Sequence, residues 1–430
     1  MSRYETYKPS GIDWIGEVPQ SWPKKRIKDF YSSSMGETIL QEDLIDEGLI
    51  PVYSATESDT IFGYVNNASV ILEPGDIVIP ARGNSIGNSK IVDAKSTCTQ
   101  TTIYCKQNSN RILPKFIYYY NYGLKDFLFH FDNTAIPQIT VKQVSNNPIF
   151  LPTIDEQLTI ANYLDDQTQK VDRLIANKKA QSEKLKELRQ IEINNAVTKG
   201  LNPNAEMKDS GIEWLGKFPK HWTTKRMKDV ASVRGRIGFR GYTVDDIVDE
   251  GALVIGAKHI NSSNQLNFVD PEYISWEKYY ESPEIMVEVG DVLIVQRGSV
   301  GKFALVEKEI GPATINPSMI LLRLNNRIHP QFLFWYLLGE HMFNIIKTIV
   351  SSTAVPMISQ MQAGVFRIIL PPKEEQIEIA NYLIQRTTAI DQLIKNIEAQ
   401  IEKLQELRKI KIFEAVTGKI KVNAYAETTA

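Results

Sequence analysis

The sequence predicts an α+β protein: two α/β domains separated by two long helices that form an antiparallel coiled coil, arranged as a pseudo-twofold internal repeat. Three observations predict it. Two blocks of sequence recur along the 430 residues. Two long stretches free of Gly and Pro carry heptad periodicity. Between the recurring blocks, short β-like runs alternate with glycine turns.

The first recurring block is Ser10-Gly-Ile-Asp-Trp-Ile-Gly-Glu-Val-Pro-Gln-Ser-Trp22, which returns as Ser210-Gly-Ile-Glu-Trp-Leu-Gly-Lys-Phe-Pro-Lys-His-Trp222. Through Lys28-Asp29 and Lys228-Asp229, 11 of 20 positions are identical. The second block spans 151–200 and returns at 370–419 with 27 of 50 positions identical. Just upstream, Thr134-Ala-Ile-Pro137 answers Thr353-Ala-Val-Pro356. A period of about 210 residues is far too long for a solenoid. It reads as two copies of a domain-plus-helix unit: domains at 1–150 and 201–369, helices at 151–200 and 370–420, and a flexible tail at 421–430.

The first helix is predicted over 153–197. Thr153-Ile-Asp-Glu156 has capping-box spacing, with Pro152 just outside and Gly200 after the end. In the second copy Pro372 takes the cap position, and the helix is predicted to run to about Val416. At ~1.5 Å per residue each is a rod of about 60–65 Å. A heptad seam is read through Ile160, Leu164, Val171, Leu174, Leu185 and Leu188 of the first helix. Ile379, Leu383, Ile390, Leu393, Ile397, Leu404 and Leu407 form the seam of the second. Gln167 with Arg386, and Gln181 with Gln400, interrupt the two seams at matching places and would fix register. Ile175, Ile191, Ile193, Ile394, Ile410 and Ile412 fall off the seam and leave apolar surface for another partner.

Inside each domain the β-like runs are Gly75–Ile79, Lys90–Val92 and Thr101–Tyr104, then Asp291–Val295, Phe303–Val306 and Met319–Arg323. Aromatic, helix-like stretches follow at 116–129 and 332–343 and are expected to pack in the core. One echo links the two otherwise divergent inserts. Gly75-Asp-Ile-Val-Ile-Pro-Ala-Arg-Gly83 stands against Gly290-Asp-Val-Leu-Ile-Val-Gln-Arg-Gly298. Each continues into a small-residue turn, Arg82-Gly-Asn-Ser-Ile-Gly87 and Arg297-Gly-Ser-Val-Gly301. Glycines there let a backbone come close and present N–H groups beside a guanidinium, which suits a phosphate or a tight hairpin equally. Gly298–Lys302 lacks P-loop spacing.

Composition excludes several classes. Net charge is −2, from 49 Lys plus Arg against 51 Asp plus Glu, and no segment carries a basic excess. A strong, self-sufficient nucleic-acid binder would show one. Two cysteines, Cys98 and Cys105, and five scattered histidines give neither a disulfide framework nor metal-ligand spacing. No apolar run is long enough to span a bilayer, and the N-terminus lacks the apolar core of a secretory leader. The expected location is the cytoplasm. Zincin, serine-hydrolase, Walker and adenine-methylating tetrapeptide motifs are absent, which argues against catalysis by this chain alone.

The doubled arrangement resembles the specificity subunit of type I restriction–modification enzymes. Trp14–Trp22 and Trp214–Trp222 resemble the opening of a target-recognition domain, and so do Arg82-Gly83 and Arg297-Gly298 with their small-residue turns. Leu151-Pro with Glu156-Gln157 and Ile160-Ala, and Leu370-Pro-Pro with Glu375-Gln376 and Ile379-Ala, resemble its close, as do the Ala-Val-Thr tails at 196–198 and 415–417. Copy one departs by the extra Asn84 in its turn, and copy two lacks the capping Thr. The resemblance implies that each target-recognition domain reads one half of an asymmetric bipartite site on double-stranded DNA. It implies that the paired helices set the gap between the halves and dock two modification (methyltransferase) subunits, with ATP-dependent restriction subunits joining them. It implies no catalytic residue, metal or cofactor in this chain, with S-adenosylmethionine, ATP and Mg expected on the partners. An anti-restriction decoy, or a coiled-coil scaffold of the same architecture, stands as the alternative.

Candidate DNA contacts are chosen as residue types that pair base edges or phosphates. Around the first turn they are Arg82, Asn84, Ser85 and Lys90, with Gln138, Thr140 and Lys142 ahead of the first helix. In the second copy they are Arg234, Arg236, Arg240 and Lys258, then Arg297, Ser299 and Lys302 at the turn, and Ser359 and Gln360 ahead of the second helix.

Overall fold

Why a chain so evenly charged divides in two is explained by where its apolar strands collect. The computed structural model describes residues 2–56, 60–130, 137–211, 215–236, 241–351 and 357–423. Its two units are Met1–Lys179 with Glu398–Ala430, and Ala180–Ile397. Each unit holds one domain and about half of each long helix. The Thr-Ala-Ile/Val-Pro echo falls almost entirely, and the 421–430 tail mostly, outside the described residues.

In the first unit a four-stranded antiparallel sheet runs in the order Tyr31–Met35, Thr102–Gln107, Ile77–Pro80, Lys90–Ile91. The second unit repeats that order with Ala231–Arg234, Met319–Leu324, Val292–Val295 and Phe303–Leu305. The central strands Ile77–Pro80 and Val292–Val295 are buried along their whole length, so they read as continuous apolar runs without alternation. All six predicted β runs lie on these strands. A second sheet in each unit, of three strands in the first and four in the second, includes one parallel pair, Ile50–Tyr53 with Thr97–Cys98 and Ala252–Ile255 with Ala313–Ile315. The aspartate of the Gly-Asp echo is buried and structural. Asp76 accepts the Gln107 N–H at 2.8 Å, and Asp291 accepts two bonds from the Arg323 guanidinium at 2.9 and 3.1 Å.

The aromatic stretches form helices Pro114–Gly123 and Pro330–Leu337, each with Pro in the first turn, where no N–H is needed. Their inward residues are core: Phe116, Tyr120, Phe332 and Tyr336 are all fully buried. Tyr120 donates to the Pro148 carbonyl at 3.0 Å, and Tyr336 donates to that of Arg367 at 3.1 Å. Beside Tyr336 lies His341, ring centres 4.3 Å apart, and burial pushes its imidazole down to about 4.

The long helices run Ile154–Lys199 and Lys373–Val416, 46 and 44 residues. One buried glutamine ties the start of each to its domain. Gln157 accepts the Leu113 N–H at 2.8 Å and donates to the carbonyls of Arg111 and Pro152 at 3.1 and 3.0 Å. Gln376 accepts from His329 at 2.7 Å and donates to Arg327 and Pro371 at 3.0 and 2.9 Å. The Thr153–Glu156 box is present, with 3.3 and 3.4 Å bonds. Where Pro372 removes that box, Glu375 instead accepts the Trp222 indole N–H at 2.8 Å.

Ion pairs between the helices define their direction. In the second unit Arg189 meets Asp391 at 2.9 Å, while Glu192 meets Arg386 at 3.0 Å and Tyr382 at 2.8 Å. Numbers rise on one helix as they fall on the other, so the pair is antiparallel. In the first unit the same contact recurs with the copies exchanged, Arg408 to Asp172 at 3.1 Å. Each arginine also covers an aromatic of its domain, Trp335 at 5.9 Å and Tyr122 at 4.7 Å.

Half of the predicted seam is displaced by one residue. Leu164, Val171, Leu383 and Ile390 are buried, and Leu185, Ile397 and Leu404 partly so. Ile160 and Ile379 are also buried, in the domain cores. The alternate positions differ: Leu174, Leu188, Leu393 and Leu407 are 36–51% exposed, while Thr168, Ser182 and Thr387 are buried one residue further on. Either spacing offers apolar side chains. The buried line is the one whose polar members satisfy themselves, as Thr168 and Thr387 do by donating to the carbonyls of Leu164 and Leu383, both at 2.7 Å. Gln167, Gln181, Arg386 and Gln400 consequently avoid burial. Of the isoleucines expected off the seam, Ile193 and Ile412 are core residues at 0% exposure, whereas Ile191 and Ile410 remain exposed.

Two outcomes follow for stability. Gln157→Ala strands one buried donor and two acceptors, so urea unfolding should show a loss of about 2–4 kcal/mol, against about 1 kcal/mol or less for Asp391→Asn on an exposed pair. The reverse ranking would refute this account of the helix junction. The depressed His341 imidazole favours the folded state above pH 6.5, and that contribution disappears as pH falls toward 4. The unfolding free energy of wild type should therefore drop across that window, by up to about 3 kcal/mol, and that of His341→Gln should drop less.

Candidate nucleic-acid interface

The site is built outward from the central strand of each domain. In the first, Ala81 leaves the strand and its carbonyl accepts the Ile139 N–H at 3.0 Å. Arg82 pairs with Gln138 in an antiparallel bridge, and Gly83 donates to the Pro137 carbonyl at 3.2 Å. In the second, the Gln296 carbonyl accepts the Ile358 N–H at 3.0 Å, and Arg297 bridges Met357. Each Arg-Gly turn is thus sewn to the segment that precedes a short helix.

That helix is the feature sequence reasoning missed. Thr140 caps Val141–Asn146: its N–H donates to Gln143 Oε1 at 2.7 Å, and the Gln143 N–H returns to Thr140 Oγ1 at 3.2 Å. Ser359 caps Gln360–Gly364 in the same way, with 2.8 and 3.2 Å bonds to Gln362. The signal was present as Ile139-Thr-x-x-Gln143 and Ile358-Ser-x-x-Gln362, two capping boxes 219 residues apart.

The turns need their glycines. Gly83, Gly87, Gly298 and Gly301 have φ of +74, +78, +79 and +87°. A Cβ on Gly83 or Gly298 would meet no atom within 4 Å, so those backbones face open space. A cleft of about 520 Å³ opens beside Gly83 and Asn84, walled in part by Lys125, Phe129, His130 and Pro137.

Of the predicted contacts, Arg82, Asn84, Gln138, Thr140 and Lys142 are exposed around the first turn, and Arg297, Ser299 and Gln360 around the second. Ser359 is half-buried as a cap. Arg234 is exposed at the end of its strand, and the Gln360 carboxamide lies against the neighbouring Gly235.

Three candidates are corrected by burial, and two others are already engaged within the fold. Ser85 is buried and donates to the Ala55 carbonyl at 3.0 Å. Lys90 is 2% exposed, and its ammonium donates to Thr56 Oγ1 at 2.6 Å. Arg236 is 6% exposed, bonded to Thr314 Oγ1 and the Ile315 carbonyl, and burial lowers its pKa. Lys302 is half-buried and donates to the Ile260 carbonyl at 3.2 Å. Lys258 is exposed, but Glu272 and Asp270 hold its ammonium at 2.8 and 3.1 Å and raise its pKa. Long cationic side chains read as surface in a linear sequence, while their stems and charges are here consumed inside the fold. Arg240 lies outside the described residues. Among the described residues no three His, Cys, Asp or Glu side chains converge as metal ligands, and no helix is long and apolar enough to cross a membrane.

Comparison with known proteins fits this doubled design. The chain belongs to the type I restriction–modification specificity family: the Type I restriction modification DNA specificity domain matches residues 19–187 and again 219–403. It is 25% identical over 428 residues to the type I restriction enzyme MjaVIII specificity subunit of Methanocaldococcus jannaschii, covering 94% of each chain. It is 24% identical over 429 residues to the putative MjaX specificity subunit of the same organism, covering 95% of this chain and 96% of that one. Among solved structures, a chain from work on complex assembly and conformational transition of the type I R-M system superposes with a TM-score of 0.73 at 16% identity, covering 94% of this chain and 99% of that one. The HsdS subunit from Thermoanaerobacter tengcongensis gives 0.53 at 18% identity, covering 94% and 98%. These two likenesses concern the fold. Specificity subunits are generally non-catalytic, and this chain is one of them.

The division of candidates is testable without DNA. Lys90→Ala and Arg236→Ala should each cost about 2 kcal/mol or more in chemical unfolding, whereas Arg82→Ala and Arg297→Ala should stay within about 0.5 kcal/mol. Equal costs for both groups would contradict the assignment.

Proposed function

We propose that each domain reads one half of an asymmetric bipartite site on double-stranded DNA through its Arg-Gly turn and the strand-linked segment beside it. The observation that carries this reading is the repeated frame. The same turn, bridged to the same segment, projects from the same strand in both units, yet the exposed residues differ. Two different half-sites require two such surfaces. Arg82 and Arg297 supply a guanidinium at the mouth of each turn, suited to a phosphate or to guanine O6 and N7.

The long helices set the separation of the half-sites and dock two modification subunits. Exposed Leu174, Leu188, Leu393 and Leu407 support docking, because solvent alone gives no reason for leucine at all four places. S-adenosylmethionine, ATP and Mg belong to the modification and restriction partners, and the complex works in the cytoplasm. With charges balanced at 49 to 51, the partners contribute much of the phosphate neutralisation.

The test uses the chain assembled with its modification subunits. Sequencing of methylated DNA first defines the target. Arg82→Ala and Arg297→Ala should then weaken target binding about fivefold or more in fluorescence anisotropy, and shift the salt dependence by about one counterion where the contact is to phosphate. Unchanged affinity for both variants, or tight salt-resistant binding by the chain without partners, would overturn the proposal.

A further inference from the structure

We infer that base identity is read by three positions on the capped segment of each domain: exposed Gln138 and Lys142 with half-buried Val141 in the first unit, and exposed Gln360 and Met361 with half-buried Met357 in the second. The inference rests on the half-site reading above and narrows it to named side chains.

The two copies keep one set of groups in this segment and change another. Kept are the groups that hold the backbone. Ala81 and Gln296 accept from Ile139 and Ile358, and those isoleucines are buried at 4% and 0%. Thr140 and Ser359 exchange bonds with Gln143 and Gln362. Val144 and Ala363 face the core at 1% and 0% exposure. These contacts fix the first turn of each helix in the same pose beside the Arg-Gly turn. The changed positions are open to solvent at least in part, Val141 and Met357 being half-buried and the Met357 sulfur accepting from the Arg297 Nε–H at 3.1 Å. Gln138 and Lys142 are exposed, as is Gln360, and Met361 is 81% exposed.

Met361 is the telling residue. A methionine with four-fifths of its surface in water contributes nothing to the core, and a solvated first turn would take a polar residue as readily. Its counterpart 219 residues earlier is Lys142, a cation. Such a swap on a fixed backbone alters what the surface contacts and leaves the fold as it was. Lys142 can donate to guanine O6 or N7, Gln360 suits the paired acceptor and donor of adenine, and Met361 offers an apolar contact for a thymine methyl. The pattern differs from that of Arg82 and Arg297, which are the same residue in both copies and therefore suit what both half-sites share, the phosphate backbone.

The experiment is an exchange within the full-length chain, co-expressed with its modification subunits. Lys142→Met and Met361→Lys are made separately, and methylated sites are mapped by sequencing. Each variant should change or relax one base pair in one half of the target, with discrimination there falling about tenfold, while the other half and the spacing stay as in wild type. A target unchanged in both variants overturns the inference. A uniform loss of methylation at every site, in a chain that elutes as the assembled complex, also overturns it, because that marks a phosphate contact. If the wild-type complex yields no bipartite target at all, the half-site reading fails first, and that result is distinguishable from either outcome. Gln360→Ala, at an exposed position of the same turn, gives a second reading should Met361→Lys fail to assemble.

Discussion

The structure depends on a constraint imposed at two points, the burial of one amide side chain where each long helix leaves its domain. Gln157 and Gln376 are 0% and 1% exposed. A buried carboxamide must satisfy a carbonyl and an amino group, and each of these does so by spanning two segments at once. One is the carbonyl at the helix entrance; the other is the loop that launches the short aromatic helix. Helix direction and domain position are therefore set by one residue. A hydrophobic substitute could fill the space and would leave three backbone groups without partners.

Against that constraint the interhelical ion pairs are weak, and their geometry says why they persist. Arg189–Asp391 and Arg408–Asp172 each join a half-buried arginine to an exposed aspartate, and such partly solvated pairs contribute little to stability. Each arginine also lies over an aromatic ring of its own domain, so helix register and domain placement meet at one planar group. Their role fits register better than strength. Adhesion comes from burial, of Val171 and Ile390 along the seam and of Leu164 and Leu383 in the domain cores.

What could be read from the sequence follows from where information is local. Helix ends, the capping box of Thr153 and the strands around Gly75-Asp76 and Gly290-Asp291 all obey short-range rules, and the structure agrees with them. The seam was half legible, because Leu174 and Ile175 are neighbours of similar apolarity and only the partner helix decides between them. Lys90 and Arg236 were illegible for a different reason. Their bonds to Thr56 and Thr314 come from residues 34 and 78 positions away, and no local pattern announces such a partner. At the candidate interface the turn was visible through its glycines. The capped helices beside it were visible only as two five-residue patterns, too short to stand out from one copy.

The two copies also show how a duplicated frame drifts without failing. Trp22 and Trp222 are both fully buried. The Trp222 indole donates to Glu375, while the Trp22 indole N–H has no hydrogen-bond partner among the described residues. The cause lies at the helix start. Glu156 is engaged in the box with Thr153, whereas Pro372 has no N–H to offer Glu375, which turns to the tryptophan. One cap residue thus decides whether the buried indole beside it is satisfied, and only the first copy leaves that donor without a partner among the described residues. A framework that tolerates such an exchange in its interior keeps its backbone pose. That tolerance is what frees the exposed turn beside it to take a lysine in one copy and a methionine in the other.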